Sequence, residues 1–441
     1  MLEKFDLNLI KENDMLLLAV SGGIDSMVLL HYLHDFSTAK KFGLAVVHLD
    51  HQKRKESVLD CQLVVDTCAK LSIECYTEKL VSQDSENFHD YARTKRYDFF
   101  VKIAKNIGAN KIVLAHNSND NAETVLMRLT RGSSFEGYRG ILAETNYDGI
   151  TIIRPMLSVS RTEILAYQKA NNIVFNEDSS NQEDHYTRNR YRHHVLPFLE
   201  TENPKYLEKF EQFSNYQTKA YKLIEKLAYK FLADNLIKYK DSLAVDVVAF
   251  NEIDDIIKID VIKKLVNQKT RNSVELTYQN IQDIEELFVN DKPHIEMFLN
   301  DNLYIYKSYN MMYFSDRKSE TVDFEYTIEE CQEIKLPNNS LVIITDNPNK
   351  YYGNIYKLCY NNLDFIFPIT IRNRRNGDKI STTSGTKKIK DVFINKKISM
   401  DTRNQLPIVL NSANEIIWVP NVFKAQTYGK NILYVIYQEG K

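Results

Sequence analysis

The chain of 441 residues carries 57 Lys and Arg against 59 Asp and Glu, a formal net charge of −2. That length suits two or three domains of roughly 100–200 residues each, and the charge balance by itself gives no reason to expect a polyanionic partner. No apolar run approaches the roughly 20 residues of a membrane span, and Met1-Leu2-Glu3-Lys4-Phe5-Asp6 mixes charges, so a soluble, cytoplasmic protein is expected; the odd count of five cysteines, with no C-x-x-C pair, argues against a disulfide framework.

Apolar strand-like runs at 16–20, 44–48, 73–76 and 112–116 alternate with helical patterns at 25–39, 56–71, 86–107 and 121–131. The alternation predicts an α/β domain, a parallel sheet with helices on both faces. Ligands of such sheets bind beyond the carboxyl ends of the strands. Residues 21–26, 48–51 and 116–120 lie just past those ends.

The first of these segments is Ser21-Gly22-Gly23-Ile24-Asp25-Ser26. Two glycines let the chain fold closely around an anion, and the first free N–H groups of the following helix point at it. Ser21 and Ser26 add hydroxyls. A carboxylate cannot hold a phosphate oxygen directly, so Asp25 points to a Mg²⁺ ion bridging protein and phosphates. The loop lacks the lysine of a Walker motif and the spacing of a dinucleotide fingerprint. An ordinary strand-to-helix turn would use the same residue types.

His48-Leu49-Asp50-His51, with Arg54 beyond, follows the second strand, and strand-end polarity alone would account for it. His116-Asn117-Ser118-Asn119-Asp120 leads into Glu123-Thr124, Arg128 and Arg131-Gly132. On a helix, Asp120 and Glu123 share a face, where they could hold Mg²⁺ or an ammonium group, while arginines can grip phosphate bidentately. Helix-stabilising charge pairs are the alternative.

Ser160, with Glu163 three residues on, marks a capping box opening a helix over 160–171. Arg188-Asn189-Arg190 and Arg192, interleaved with Tyr186 and Tyr191, offer cations and stacking surfaces for phosphate or RNA; pairing with Glu177 and Asp178 is the alternative. A long helical tract is expected over 205–237, further helices over 251–266 and 273–289, and an alternating strand at Leu303-Tyr304-Ile305-Tyr306. From 322 onward strands and turns dominate, with one helix expected at 388–395. Residues 371–403 hold ten Lys and Arg against three acids, a basic surface able to position RNA or simply to face solvent.

Jointly, these segments resemble the tRNA(Ile)-lysidine synthetases, members of the PP-loop (N-type) ATP pyrophosphatase group. The resemblance runs through residues 21–26, His48…His51…Arg54, Ala92-Arg93…Arg96-Tyr97, Asp120…Glu123-Thr124…Arg131-Gly132, Arg154-Pro155, Glu177-Asp178-Ser179…Asn181 and Arg188-Asn189…Arg192. Arg375-Asn376-Gly377-Asp378-Lys379, Lys387-Lys388-Ile389-Lys390 and Ile417-Trp418-Val419-Pro420 resemble the family's C-terminal tRNA-binding domain. It implies an N-terminal PP-loop domain of the adenine nucleotide alpha hydrolase-like kind (1–201), a helical middle (202–320) and a small α+β C-terminal region (321–441, core about 365–437).

The implied reaction has two steps. ATP adenylates the C2 carbonyl of the wobble cytidine of an isoleucine tRNA with a CAU anticodon, and the ε-amine of free lysine then displaces AMP. The implied ATP site is Ser21, Gly22, Gly23, Ile24, Asp25, Ser26 and His48, with Asp25 holding Mg²⁺; Asp25, His51, Arg93 and Asp120 would be catalytic. Lysine, with an ammonium to neutralise and a carboxylate to anchor, suits Asp120 and Glu123 beside Arg188 and Arg192. The tRNA would meet Arg128, Arg131, Arg190, Arg375, Lys387, Lys388 and Lys390. One departure stands out: the family's paired histidines and paired aspartates of the fourth motif are His116-Asn117 and Asn119-Asp120 here. A tRNA thiolase of the same group would need paired cysteines, which are absent, and a non-catalytic RNA-binding relative would not need Asp25 and Ser26.

Overall fold

Leu16, Leu17 and Leu18 are fully buried and locate the core of the first domain. Leu16 and Leu18 join one apolar cluster with Met27, Leu30 and Tyr32, whereas Leu17 joins a second with Val47, Phe100 and Ile112. A strand that buries both faces stands at the centre of a layered sheet, successive side chains pointing to opposite sides. The computed structural model describes residues 3–50, 57–80, 88–177, 183–239, 241–271, 274–299, 303–316, 322–362, 366–382 and 385–440. The chain divides into two compact units, Met1–Leu223 and Ile224–Lys441.

In the first unit, strands β1 (Met15–Ala19), β2 (Gly43–Asp50), β3 (Glu74–Lys79), β4 (Lys111–Val113), β5 (Glu144–Tyr147) and β6 (Ile150–Ile153) lie in the order β3-β2-β1-β4-β6-β5. β1 runs parallel to β2, with Leu16 opposite Leu44, and parallel to β4, with Leu17 opposite Ile112. Among the described strands of this sheet only β5 is antiparallel, closing a hairpin with β6 that the sequence reading did not contain. Helices α1 (Ile24–Lys40), α2 (Ser57–Lys70), α3 (Phe88–Ile107) and α4 (Ser118–Arg131) alternate with the first four strands as expected. α4 begins three residues before the anticipated 121, because Asn117 and Asp120 close a capping box. The box expected at Ser160 and Glu163 opens α5 (Arg161–Ala170). Then come α6 (Thr187–Arg190), a π-helical turn at Tyr191–Val195, α7 (Leu196–Glu202) and α8 (Tyr206–Asn235), inside which the two units divide.

The second unit starts with β7 (Leu236–Lys238), β8 (Ser242–Asp246), α9 (Val247–Glu252), α10 (Asp255–Thr270), α11 (Tyr278–Val289), β9 (His294–Leu299), β10 (Leu303–Ser308) and β11 (Met311–Ser315). The expected middle helices are here, but the first is broken at Ile253-Asp254, where the extended backbone of Asp254 precedes α10, and the second waits for the Thr277–Asn280 capping box. They share one core with a five-stranded antiparallel sheet, β7-β8-β11-β10-β9, of which only the Leu303–Tyr306 stretch was legible beforehand. Val245, Ile305, Met312 and Phe314 from the sheet meet Val261, Leu265, Ile284 and Phe288 from the helices.

The remainder is an α+β region: β12 (Glu325–Ile328), β13 (Glu333–Lys335), β14 (Leu341–Thr345), β15 (Asn354–Tyr360), β16 (Ile369–Arg372), β17 (Lys379–Thr382), β18 (Gly385–Lys388), α12 (Ile389–Asn395), α13 (Met400–Gln405), β19 (Ile408–Leu410), β20 (Ile416–Val419), β21 (Phe423–Lys424) and β22 (Asn431–Gln438). Sheets β12-β16-β19-β20-β21 and β13-β14-β22-β15 share a core around the fully buried Trp418, stacked on Tyr356 at 5.9 Å. No described helix is long and apolar enough to cross a membrane.

One buried ion pair fastens the amino end of the parallel sheet. Lys111 Nζ donates to Asp14 Oδ2 at 2.7 Å and to the Leu9 carbonyl at 2.9 Å, while Asn110 and the Lys11 amide also donate to Asp14. Burial opposes the Asp14 charge, but Lys111 and the other donors outweigh it and hold the pKa below its ordinary value. Asp14 therefore contributes stability that is present above its unfolded pKa and is lost as pH falls through the lower folded one. Lys111→Met is expected to lower the unfolding free energy of the first unit by about 3–5 kcal/mol, the cost of stranding a buried charge. Urea unfolding of the variant and the parent measures it.

Candidate active site

The parallel arrangement delivers the carboxyl ends of β1, β2, β4 and β6 to one edge of the sheet, and the candidate residues gather there. Beyond β1 the chain turns sharply at Gly22, where φ is +90°. A side chain there would be strained by the backbone and would also press on Asp60, whose Cβ lies 3.2 Å from an added Cβ. Ser26 Oγ donates to the Gly23 carbonyl at 2.9 Å and accepts the Ser21 amide at 3.1 Å. Ser26 thus braces the loop from within. Gly23 caps α1 without a side chain, so among the described residues the first amides of the helix have no N-cap acceptor, the arrangement that favours an anion.

Asp25, in the first turn of α1, is bound on both oxygens. Oδ1 accepts Asn117 Nδ2 at 3.3 Å and Oδ2 pairs with Arg161 Nη1. Burial is the largest influence on its pKa and raises it; Arg161 opposes this and the Asp120 carboxylate adds to it, leaving the group above its ordinary value. A raised pKa means the anion is under-compensated, so a further cation would be welcome.

On α4, Asp120 is divided between two duties. Its Oδ2 accepts the Asn117 amide at 3.1 Å to complete the cap, and its Oδ1 faces Arg192 Nη2 at 3.4 Å. Glu123, one turn later, is fully buried. Arg192 grips it with Nε at 2.7 Å and Nη2 at 3.1 Å, and Arg188 Nε lies 3.1 Å from Oε2. Burial raises the Glu123 pKa against the pull of Arg192. The four residues expected to serve lysine, Asp120, Glu123, Arg188 and Arg192, are thus brought together, and within the cluster the carboxylates and guanidinium groups pair with one another. Glu123 faces guanidinium groups, leaving Asp120 as the less committed carboxylate.

Arg192 reaches α4 from the π-helical turn. Asp184 fastens that turn by accepting His193 Nδ1 at 2.8 Å and His194 Nε2 at 2.6 Å. His116, at the end of the β4 segment, has a buried Nδ1 without a hydrogen-bond partner. Burial, opposed by Asp120 and reinforced by Arg154, pushes its pKa down to about 4. Its ring is neutral at physiological pH.

His48 is buried, its Nδ1 2.8 Å from the Val20 carbonyl, so it supports the loop from below. Arg93 lies over the Tyr97 ring at 5.1 Å. His51, Arg54, Asp178, Ser179 and Asn181 lie outside the described residues. Several expected tRNA contacts have local partners: Arg128 holds the Gly137 and Gly140 carbonyls, Arg190 holds those of Asp184 and His185, and Arg375 pairs with Glu325. Arg131 is exposed and lines a cleft of about 530 Å³ with Thr124, Met127, Thr187 and Arg188. Lys387 and Lys388 on β18 and Lys390 on α12 are exposed.

Arg161 was missed by the motif reading. It had one local signal: an arginine at the first position of a helix, where the positive end of the dipole disfavours a cation.

Residues 2–199 match the PP-loop domain and residues 369–431 the TilS substrate C-terminal domain. The "Bifunctional protein TilS/HprT" of Listeria monocytogenes serovar 1/2a is 32% identical over 434 residues, covering 96% of this chain and 67% of that protein. The "tRNA(Ile)-lysidine synthase" of Bacillus thuringiensis subsp. konkukian is 33% identical over 427 residues, covering 94% and 89%. A solved TilS C-terminal domain is 30% identical, covers 26% of this chain and 98% of its own length, and superposes with a TM-score of 0.22. With both domains in order and about a third of residues shared along nearly its whole length, the chain belongs to the tRNA(Ile)-lysidine synthase family.

Proposed function

We propose that this protein converts the wobble cytidine of isoleucine tRNA with a CAU anticodon to lysidine, using ATP and free lysine and releasing AMP and pyrophosphate. The observation that carries the reading is one edge of one sheet. The uncapped start of α1 with Asp25 lies there beside the Asp120, Glu123, Arg188 and Arg192 cluster, so an activated base and an amine could meet.

A pyrimidine carbonyl is a weak electrophile with a poor leaving group, so activation comes first. The cytidine O2 attacks the α-phosphorus of ATP and the bond to pyrophosphate breaks, with the amides of α1 stabilising the departing charge. The oxygen donors at Asp25, where a guanidinium already shows that positive charge fits, suit a hard divalent cation. Asp25 would hold Mg²⁺, which when bound neutralises charge on the leaving pyrophosphate. In the second step the lysine ε-amine must be neutral to attack C2. Asp120, held by Arg192 at only 3.4 Å on Oδ1, is the carboxylate open to the ammonium and able to take its proton. The C2–O2 bond then breaks with AMP as leaving group. Glu123 keeps Arg188 and Arg192 in place, and either guanidinium can share itself with the lysine carboxylate.

Incubating the protein with ATP, labelled lysine and isoleucine tRNA bearing CAU, beside methionine tRNA, is expected to label the isoleucine tRNA alone; absence of label there refutes the proposal. Asp25→Ala should slow labelling by at least about 100-fold, and Asp120→Asn should lower kcat by roughly 10²–10⁴-fold. His116 should titrate near pH 4 by NMR and leave no acid limb near pH 6.5 in the activity profile. Replacing Lys387, Lys388 and Lys390 together by Ala should weaken tRNA binding and reduce the slope of log K against log salt by about 2–3; filter binding across a salt series measures it.

A further inference from the structure

Arg161 has no part in the reaction as set out above, yet its position is hard to explain on stability alone. It is the first residue of α5, where a cation meets the positive end of the helix dipole. What holds it there is Asp25, on another helix 136 positions away in sequence. Both side chains keep solvent access, 42% for Arg161 and 30% for Asp25, so the pair is not sealed in the core. Around it, Asn119 Oδ1 accepts the Arg161 amide at 3.0 Å, and Asn117 Nδ2 donates to Asp25 Oδ1 at 3.3 Å. The amino ends of α1, α4 and α5 are thereby tied together beside the glycine turn. Three positive helix ends and a guanidinium favour an anion carrying more charge than one carboxylate.

We propose that Arg161 is a phosphate-binding residue of the nucleotide site, and that its pair with Asp25 is the arrangement of the nucleotide-free protein. When a triphosphate or pyrophosphate enters, the guanidinium transfers from Asp25 to phosphoryl oxygens, which suit its planar fork at least as well. The transfer would leave Asp25 Oδ2 open to hold a divalent cation, so that Arg161 would compensate the carboxylate in the nucleotide-free protein and the cation would do so in the loaded one. The inference rests on reading residues 21–26 as the nucleotide loop.

The test is calorimetric binding of inorganic pyrophosphate, in EDTA, to the full-length parent, Arg161→Ala and Arg161→Lys, with thermal unfolding of each. Arg161→Ala is expected to weaken metal-free pyrophosphate binding at least tenfold and Arg161→Lys to fall between. Manganese binding without nucleotide, read by electron paramagnetic resonance, should tighten in Arg161→Ala because Asp25 is released. Unchanged pyrophosphate affinity in a folded Arg161→Ala protein, with or without a lower Tm, would make Arg161 a clamp between helices and overturn the proposal. If that variant does not fold, the same comparison with Arg161→Lys decides. A parent protein that binds neither pyrophosphate nor ATP with Mg²⁺ would instead bring down the reading of the loop itself.

Discussion

A parallel sheet aligns its carboxyl ends, and the helices that follow start where those ends stop. In this protein that constraint gathers the positive amino ends of α1, α4 and α5 around a single carboxylate, Asp25. Burial makes that charge expensive, and it is tolerated because Asn117 and Arg161 approach it from two different helices. The glycine turn could form in many strand-to-helix connections. The convergence on Asp25 is what separates this loop from an ordinary turn.

A second carboxylate, this one fully buried, extends the site. Glu123 has no solvent exposure, and an isolated anion in that position would not persist. Its partners come from the segment after residue 183, so the charge on α4 and the conformation of the π-helical turn require each other. A π-turn is wider than an α-turn, is rare, and is frequent at functional sites. Here it lets Arg192 reach Glu123 and Asp120 at once, while Asp184 ties down the adjacent His193 and His194. The acidic helix face and the basic tyrosine-rich segment, separate features of the sequence, form one electrostatic unit.

What was legible in advance was local. The glycine turn, the Ser160 capping box and the α/β alternation of the first domain depend on residues near one another, and each stands where expected. The β5–β6 hairpin was overlooked although Asp148 and Gly149, with φ of 48° and 84°, carry a two-residue turn signal. The sheet beside α9 to α11 was hidden because three helices stand between β8 and β9, so the β8–β11 pairing that joins the two halves is set by a shared core rather than by period. Partnerships across the chain were the least visible. The sequence offers Arg128 as an RNA contact without revealing that it also holds the Gly137 and Gly140 carbonyls, and nothing near residue 161 announces Asp25.

The departure of the fourth motif from its family has a physical account in the same network. Asparagine is among the best helix caps, and Asn117 accepts the Asp120 amide at 3.1 Å while its amide nitrogen donates to Asp25. Asn119 accepts the first amide of α5 and donates to the Tyr206 hydroxyl at 3.4 Å. Each amide carries both a donor and an acceptor, so each can join two elements without adding charge. A second carboxylate at 119 could accept the α5 amide, but would add repulsion to a site where Asp120 already raises the Asp25 pKa. A histidine at 117 would offer a ring donor but not the short acceptor that caps α4. The two asparagines therefore preserve the joining of the helix starts with neutral groups, and the charges that remain there are those of Asp25, Asp120, Glu123 and the arginines that pair with them.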